Sequence, residues 1–538
     1  MSADLSPRGR ASNLTRMRSE RFDLLVVGGG IVGAGIAQDA ALRGLKTALV
    51  ERGDFASGTS SKTSRLVHGG LRYLKSFKIG LVRQAVRERD LLLERAPGLV
   101  TPLAFTIPAY EGQGMGKATL RFGLWVYDFL SRDKVLPRRR WLTPGDVKGR
   151  EPKLAERGLG GGGLYHDALT NDARLVLAVI RSAADAGATL ANYAEVTGLV
   201  HEGGRVAGGS IRDRVTQGTF QVRAAVVVNA TGVWLDRLRS MPPDSSTLRP
   251  TKGIHIFLPR KKVGNREAVV LSAKRDGRML FVLPWGHLTL VGTTDTDFHG
   301  DLDQVVPDGQ DVAYLLESVN EAFPDAHVGV QDVISAYAGL RPLLGGGKAA
   351  KESDISREHE IFEDADGLLS VAGGKLTTHR AMAQEVVDRV CARLARGKEC
   401  SSSAAALGPT AGAVDELRAL GVEEDFAAYL ASRHPIEDLR PWIGGLSAED
   451  RIEADLPYRW IEISIAIENE MALTLEDVMV RRLGLFYESP DQGAAVAPAV
   501  AERMGSHLGW DASRAESELR AYRGLVANHR RYREDHGR

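Results

Sequence analysis

Residues 22–51 read Phe22-Asp-Leu-Leu-Val-Val27, then Gly28-Gly29-Gly30-Ile31-Val32-Gly33, then Ala34 through Gly44, then Lys46-Thr-Ala-Leu-Val50-Glu51. The first six residues are a short apolar run, suited to a buried strand. Ala34 to Leu42 is alanine-rich with Ile36 and Ala40 on one face, which predicts a helix, and Gly44 stops it. Lys46 to Val50 is a second apolar strand that ends in an acid. Together they predict one βαβ unit with GxGxxG at its turn, the dinucleotide-binding pattern of a Rossmann-type α/β fold. Gly28 and Gly30 remove Cβ atoms that would keep a pyrophosphate from the backbone, and Gly33 lets the helix pack close to the strand. The helix N-terminus offers unpaired N–H groups to phosphate. Glu51 is placed to accept hydrogen bonds from ribose hydroxyls. A glycine-rich turn without a ligand would not require strand, helix, second strand and terminal acid in register.

The chain has 538 residues, too many for one core, so two or three domains are expected. Hydrophobic residues make up 43% and charged residues 26%, the balance of an ordinary globular protein. A net charge of +1 argues against a general nucleic-acid binder. Cys391 and Cys400 form no CxxC, so no disulfide framework, metal site or redox dithiol is expected, and a reducing compartment is. No apolar run reaches ~18 residues, so no spanning helix is expected, nor is a signal peptide. Residues 1–19 open an Arg-rich, apolar-poor stretch and are expected to be a disordered tail.

Beyond Glu51 the run from Arg52 to Tyr73 is rich in Ser, Thr and Gly, which predicts loop or a helix start. Its hydroxyls and N–H groups suit phosphate contacts, and equally a solvated surface. Residues 81–96 read as an amphipathic helix ended by Pro97-Gly98. Residues 113–141 hold seven Lys or Arg against two Asp, with Phe122, Trp125, Tyr127, Phe129 and Trp141 interleaved. That mixture suits an anionic membrane surface, a nucleic-acid face, or a core helix with solvated charges. Asn171 or Asp172 caps a helix to Ala186, closed by Gly187. Residues 189–200 predict a strand, 205–223 a β meander, and Ala225–Asn229 a buried strand ending Ala230-Thr231-Gly232. Residues 250–300 alternate as strands and put His255 opposite Ile254 and Ile256. Leu280–Pro284 and Leu288–Val291 read as a hairpin. Arg341, held before Pro342, fits a phosphate or carboxylate through paired donors, and Arg357 is a second candidate cation. Gly373 to Thr378 opens a helix to about Leu394. Residues 400–412 are a linker by composition, and helices follow at 478–483, 495–508 and 514–530, the first behind a Thr474–Asp477 capping box.

The Gly28–Glu51 unit, Thr59-Ser60-Ser61 and above all His68-Gly69-Gly70-Leu71-Arg72-Tyr73 closely resemble the FAD-dependent glycerol-3-phosphate dehydrogenases, within the D-amino-acid-oxidase-like flavoproteins. Lys252-Gly253-Ile254-His255 and Gly292-Thr293-Thr294-Asp295 match the same family, and the resemblance spans residues 20–530. It departs at His379, where relatives usually carry Tyr. It implies an FAD-binding and substrate-binding domain at 20–399, with FAD parts at 20–80, 150–235 and 350–399 and a β-sheet substrate part at 240–349. A C-terminal all-helical domain is implied at 413–538. FAD would be held by Gly28, Gly30, Gly33, Glu51, Arg52, Thr59, Ser60, Ser61, His68, Gly69 and Gly70. Val196, Ala230, Thr231, Gly232, Gly374, Lys375, Leu376 and Thr377 would complete its site.

The resemblance further implies oxidation of sn-glycerol 3-phosphate to dihydroxyacetone phosphate, with the C2 hydrogen leaving as hydride to flavin N5 and electrons passing to a membrane quinone. His255 would be the base for the C2 hydroxyl, its ordinary pKa lying near working pH. Arg72, Arg341 and Arg357 would hold the phosphate, Tyr73 would add a hydroxyl, and Lys375 would stabilise negative charge on the flavin. Peripheral contact with the inner face of the cytoplasmic membrane is expected, with no nucleic acid and no metal. A homodimer stays open. Three rivals remain: an oxidase releasing hydrogen peroxide, an amine or hydroxy-acid oxidase of the same fold, and a non-catalytic FAD-binding factor. A nicotinamide enzyme would need a second nucleotide fingerprint, which this sequence lacks.

Overall fold

The computed structural model describes residues 3–76, 78–112, 116–131, 135–239, 246–345, 359–408, 412–445 and 450–535. Two sheets organise it. In the first, strands Leu369–Gly373, Thr219–Asn229, Arg21–Val27, Thr47–Val50 and Thr189–Ala191 run parallel in that spatial order. The apolar run at 24–27 is continuous because both faces of its strand are covered. Leu24 and Val26 face helices Ile31–Leu42, Asp172–Asp185 and His379–Leu394, whereas Leu25 and Val27 face the opposite side. Strands Ala194–Glu202 and Arg205–Asp213 extend this sheet as an antiparallel meander.

The second sheet is largely antiparallel and centres on Leu248–Pro259, flanked by Leu288–Gly292 on one side and Ser335–Leu344 on the other. The hairpin forms from Met279–Trp285 and Leu288–Gly292. The C-terminal helices pack on this sheet, so Phe257, Leu283 and Tyr337 share one core with Leu475, Phe486, Tyr487 and Tyr522. Thr474 and Asp477 form the expected reciprocal cap, Asp477 N–H donating to the Thr474 hydroxyl and Thr474 N–H to the Asp477 carboxylate. The following segment, Asp477–Leu483, is a π-helix, and its Arg481 and Arg482 are buried against Asp54 at 2.6 and 2.7 Å.

Two expectations are corrected. The expected disordered tail at 1–19 is ordered where described: Pro7–Ser19 is a helix, capped by Ser6 accepting from Gly9 N–H at 3.1 Å. Leu14 and Met17 bury against the parallel sheet and Arg10 pairs with Asp213 at 2.6 Å. Leu14, Met17, the Arg10–Asp213 pair and hydrogen bonds from Arg10 and Asn13 to the Asn192 and Leu190 carbonyls hold it, contacts that do not register in composition. The 400–412 segment is no free linker where described, since Ser402 and Leu407 are buried and Arg95 Nε donates to the Ala405 carbonyl at 2.7 Å. No described helix is long and apolar enough to cross a membrane.

Candidate active site

Register brings the motifs of the first sheet to one edge. Val27 lies opposite both Val50 and Asn229, so Gly28, Glu51 and Ala230 leave their strands side by side. Ser370 lies opposite Asn229, which brings Gly373-Gly374-Lys375 to the same rim. This is the carboxyl end of a parallel sheet, where such folds bind ligands. A cleft of about 920 Å³ opens there. Gly28, Gly30, Glu51, Arg52, Thr59 and Ser60 line one part of it, and Val196, Ala230, Thr231, Gly232, Gly374, Lys375 and Leu376 the rest.

The turn needs its glycines. Gly28 has φ +112°, and a Cβ there would lie 2.5 Å from the Ala230 carbonyl. A Cβ on Gly33 would collide with the Gly28 carbonyl, so Gly33 serves helix–strand packing rather than the cleft wall. The Ser60 hydroxyl accepts from Ile31 N–H at 3.0 Å, at the start of helix Ile31–Leu42. The Glu51 carboxylate accepts from Gly29 and Gly53 N–H at 2.7 and 2.8 Å, and burial pushes its pKa up. Trp234, which the sequence offers either as a neighbour of the Ala230–Gly232 approach or as core, lines the cleft under the Arg52 guanidinium (4.2 Å to the ring), and its indole N–H has no hydrogen-bond partner among the described residues. Glycine cradle, helix N-terminus, acid and terminal lysine fit FAD along the cleft.

Ser61, His68, Gly69, Gly70 and Thr377 do not line the cleft. Ser61 is buried. The Thr377 hydroxyl accepts from His68 N–H at 3.1 Å, and Gly69 N–H donates to the Tyr127 hydroxyl at 2.9 Å. These residues fasten the segment that presents Tyr73, whose ring lies 3.7 Å from Lys375 Nζ.

The second sheet adds a polar cluster beside the cleft. Register sets His255 between Gly292 and Tyr337, and Thr251 opposite Arg341. His255 is 3% exposed. Its Nε2 is 2.8 Å from the Ser64 hydroxyl, and its ring stacks on Tyr337 at 4.9 Å and 13°. Burial, then the charges of Arg341 and Arg65, hold its pKa well below the ordinary 6.5. Arg341 bonds Asp295 at 3.0 Å, the Thr293 hydroxyl at 2.9 Å and the Thr294 carbonyl at 3.1 Å. A side chain at Gly253 would collide with that guanidinium. His255 and Arg341 do not themselves line the large cleft, but Thr63 and Pro342, their neighbours in space and in sequence, do. Arg357 and the side chain of Arg72 lie outside the described residues. Ser64, Tyr337 and Asp295 were not singled out. Ser64 sits in the hydroxyl-rich run and Asp295 closes the Gly292–Asp295 motif, while nothing local marks Tyr337.

Residues 23–389 match the FAD dependent oxidoreductase family, and residues 417–515 match the C-terminal domain of alpha-glycerophosphate oxidase. The chain is 37% identical over 545 residues to a glycerol-3-phosphate dehydrogenase of Mycobacterium leprae, covering 97% of this chain and 91% of that one. It is 35% identical over 531 residues to an aerobic glycerol-3-phosphate dehydrogenase of Staphylococcus haemolyticus, covering 95% of each. Among solved structures, the glycerol-3-phosphate dehydrogenase of Bacillus halodurans complexed with FAD superposes with a TM-score of 0.81 at 30% identity, covering 97% of this chain and 98% of that one. The glycine cradle and the sheet-borne cluster of His and Arg thus occur on a chain that belongs to the FAD-dependent oxidoreductases, in the family of the glycerol-3-phosphate dehydrogenases.

Proposed function

We propose that this protein oxidises sn-glycerol 3-phosphate to dihydroxyacetone phosphate and delivers the electrons to a membrane quinone. The observation that carries the reading is the pairing of a buried neutral imidazole, His255, with the Arg341 guanidinium on adjoining strands beside the dinucleotide cleft. FAD, when bound, supplies the two-electron acceptor. His255 takes the C2 hydroxyl proton, a role open to it because it is uncharged at neutral pH. Arg341, aligned by Asp295 and Thr293, holds the phosphate. Arg72, Arg357 and Tyr73 complete that grip. Lys375, beside Tyr73 at the cleft rim, offers positive charge to the cofactor.

A surface feature supports quinone as acceptor. Helix Lys117–Leu130 buries Leu120, Leu124 and Tyr127 and turns Phe122, Trp125 and Phe129 outward, 64%, 49% and 61% exposed. The three rings stack along the helix at 6.0 and 5.7 Å. Lys117, Arg121 and Arg138–Arg140 lie close by in the sequence. Exposed aromatics with cations suit an interfacial helix on an anionic leaflet, the inner face of the cytoplasmic membrane.

Anaerobic titration of the purified yellow protein with glycerol 3-phosphate tests the reading. Bleaching of the flavin bands is expected, followed by reoxidation with a quinone analogue faster than with air. Failure to bleach overturns the substrate. Stoichiometric peroxide in air, with no acceleration by quinone, turns the assignment to an oxidase.

A further inference from the structure

We propose that the C-terminal helical region completes the active site, with Tyr487 a positioning residue that holds the His255 imidazole through the ring of Tyr337. The inference rests on His255 acting as the base.

Three rings form a column. His255 stacks on Tyr337, its register partner across the sheet, at 4.9 Å and 13°. Tyr337 meets Tyr487 edge-on at 5.2 Å and 70°. Tyr337 and Tyr487 are 1% and 4% exposed, so the column is closed to water. The Tyr337 hydroxyl donates to the Thr63 carbonyl at 2.6 Å, one residue before Ser64, which holds the other edge of the imidazole. Tyr487 belongs to the short helix Leu485–Glu488, and two hydrogen bonds fasten that helix to the sheet. The Ser335 hydroxyl donates to the Tyr487 carbonyl at 2.6 Å, and Trp285 Nε1 donates to Glu488 at 2.8 Å.

Ser64 and the column together restrict the imidazole in rotation. When Nε2 carries the proton and Ser64 accepts it, Nδ1, which has no partner among the described atoms, keeps its lone pair. The charged groups around the ring are Arg341 from the neighbouring strand and Arg65 from the segment after Ser64. Arg65 lies 4.8 Å from the Tyr487 ring centre and 4.2 Å from that of Trp285, with Asp172 and Glu488 near it and Asp295 on Arg341. Both cations and the loss of water oppose protonation of His255. Without the Tyr487 ring, Tyr337 loses its backing and water reaches the column. The imidazole then tilts and protonates more readily, so activity is lost at a higher pH on the acid side.

The test is rapid anaerobic flavin reduction by glycerol 3-phosphate, against pH, in the FAD-loaded full chain. Wild type is compared with Tyr487→Phe, Tyr487→Met and His255→Ala. Tyr487→Phe keeps the ring and is expected to match wild type. Tyr487→Met is expected to slow reduction roughly tenfold or more and to move the acid limb to higher pH, at unchanged half-saturation because Arg341 is intact. Should Tyr487→Met fail to retain FAD, Ser335→Ala, which frees only the Tyr487 carbonyl, is read instead for a shift of the acid limb in the same direction. A wild-type rate and acid limb in the variant read, alongside a slow His255→Ala, overturns the positioning role alone. A fast His255→Ala overturns the base assignment beneath it.

Discussion

His255 owes its chemistry to confinement. On a bare strand its alternation with Ile254 and Ile256 reads as core packing; the neighbours that change this are Ser64, Tyr337 and Arg341, tens to hundreds of residues away. Replacing His255 by Ala is expected to leave FAD bound and to slow flavin reduction by roughly 10²–10⁴-fold, read by stopped-flow absorbance; an unchanged rate removes it as base. Arg341→Ala is expected to act on binding: affinity for phosphate-bearing inhibitors should fall while the flavin spectrum stays intact, and unaltered affinity would place the phosphate elsewhere. Gly253→Ala should reproduce part of that loss, since its methyl would occupy the space of the Arg341 guanidinium. The cofactor side is more legible residue by residue, because Gly28, Gly30 and Gly33 belong to one turn and Glu51 to the next strand, where spacing alone conveys geometry.

Among elements, the parallel strands illustrate what local pattern conveys. The 24–27 run is apolar throughout because helices cover it on one side and the N-terminal helix and meander residues on the other. The N-terminal helix itself escapes a compositional reading, since its hold depends on Arg10 meeting Asp213 across the fold. Arg10→Ala removes the cation from a carboxylate that still accepts from the Thr216 hydroxyl and Val215 N–H, and should cost about 1.5–3 kcal/mol, visible as a lowered Tm; an unshifted Tm would mean the pair does not hold the helix. The helix at Lys117–Leu130 is the opposite case. Its sequence allows a core, nucleic-acid or membrane reading, and burial separates Leu120, Leu124 and Tyr127 from the outward Phe122, Trp125 and Phe129. Changing those three outward residues to Ser should reduce sedimentation with anionic vesicles severalfold while flavin reduction by substrate persists. Undiminished vesicle binding would move the membrane contact to another surface.

At the scale of the whole molecule, buried ionisable groups tie the halves together and set the response to acid. Arg481 and Arg482 from the C-terminal region converge on Asp54, one turn beyond Glu51. Burial holds four histidines below their ordinary pKa: His379 at about 3, His529 at about 4, His255 well below 6.5, and His166 to a lesser degree. Below pH 6.5 the unfolded chain protonates these histidines before the folded one does, so their contribution to stability falls as pH drops from 6.5 towards 4. Burial alone would raise the Glu462 carboxyl, yet Arg433 and His434 hold it down to about 2. Its contribution is present above pH 4.5 and is lost only as pH falls towards 2. Buried carboxyls held high, such as Glu151 at about 7, act in the opposite sense, so the histidine contribution is read by difference: from pH 8 to 4, the Tm of His529→Gln should fall less, or rise more, than that of wild type. Parallel Tm profiles for the two would mean His529 is not buried uncharged.

The amino-acid sequence by itself determined the βαβ nucleotide unit, the succession of strands and helices and the family pattern. Those signals are periodicities and spacings among residues close along the chain, where backbone geometry permits few arrangements. Tertiary structure alone decided that the N-terminal segment docks, that three aromatic side chains face outward, and that Ser64, His255, Tyr337 and Tyr487 meet. Such meetings arise from strand register and from desolvation in a shared core, and neither leaves a mark on the local order of residues.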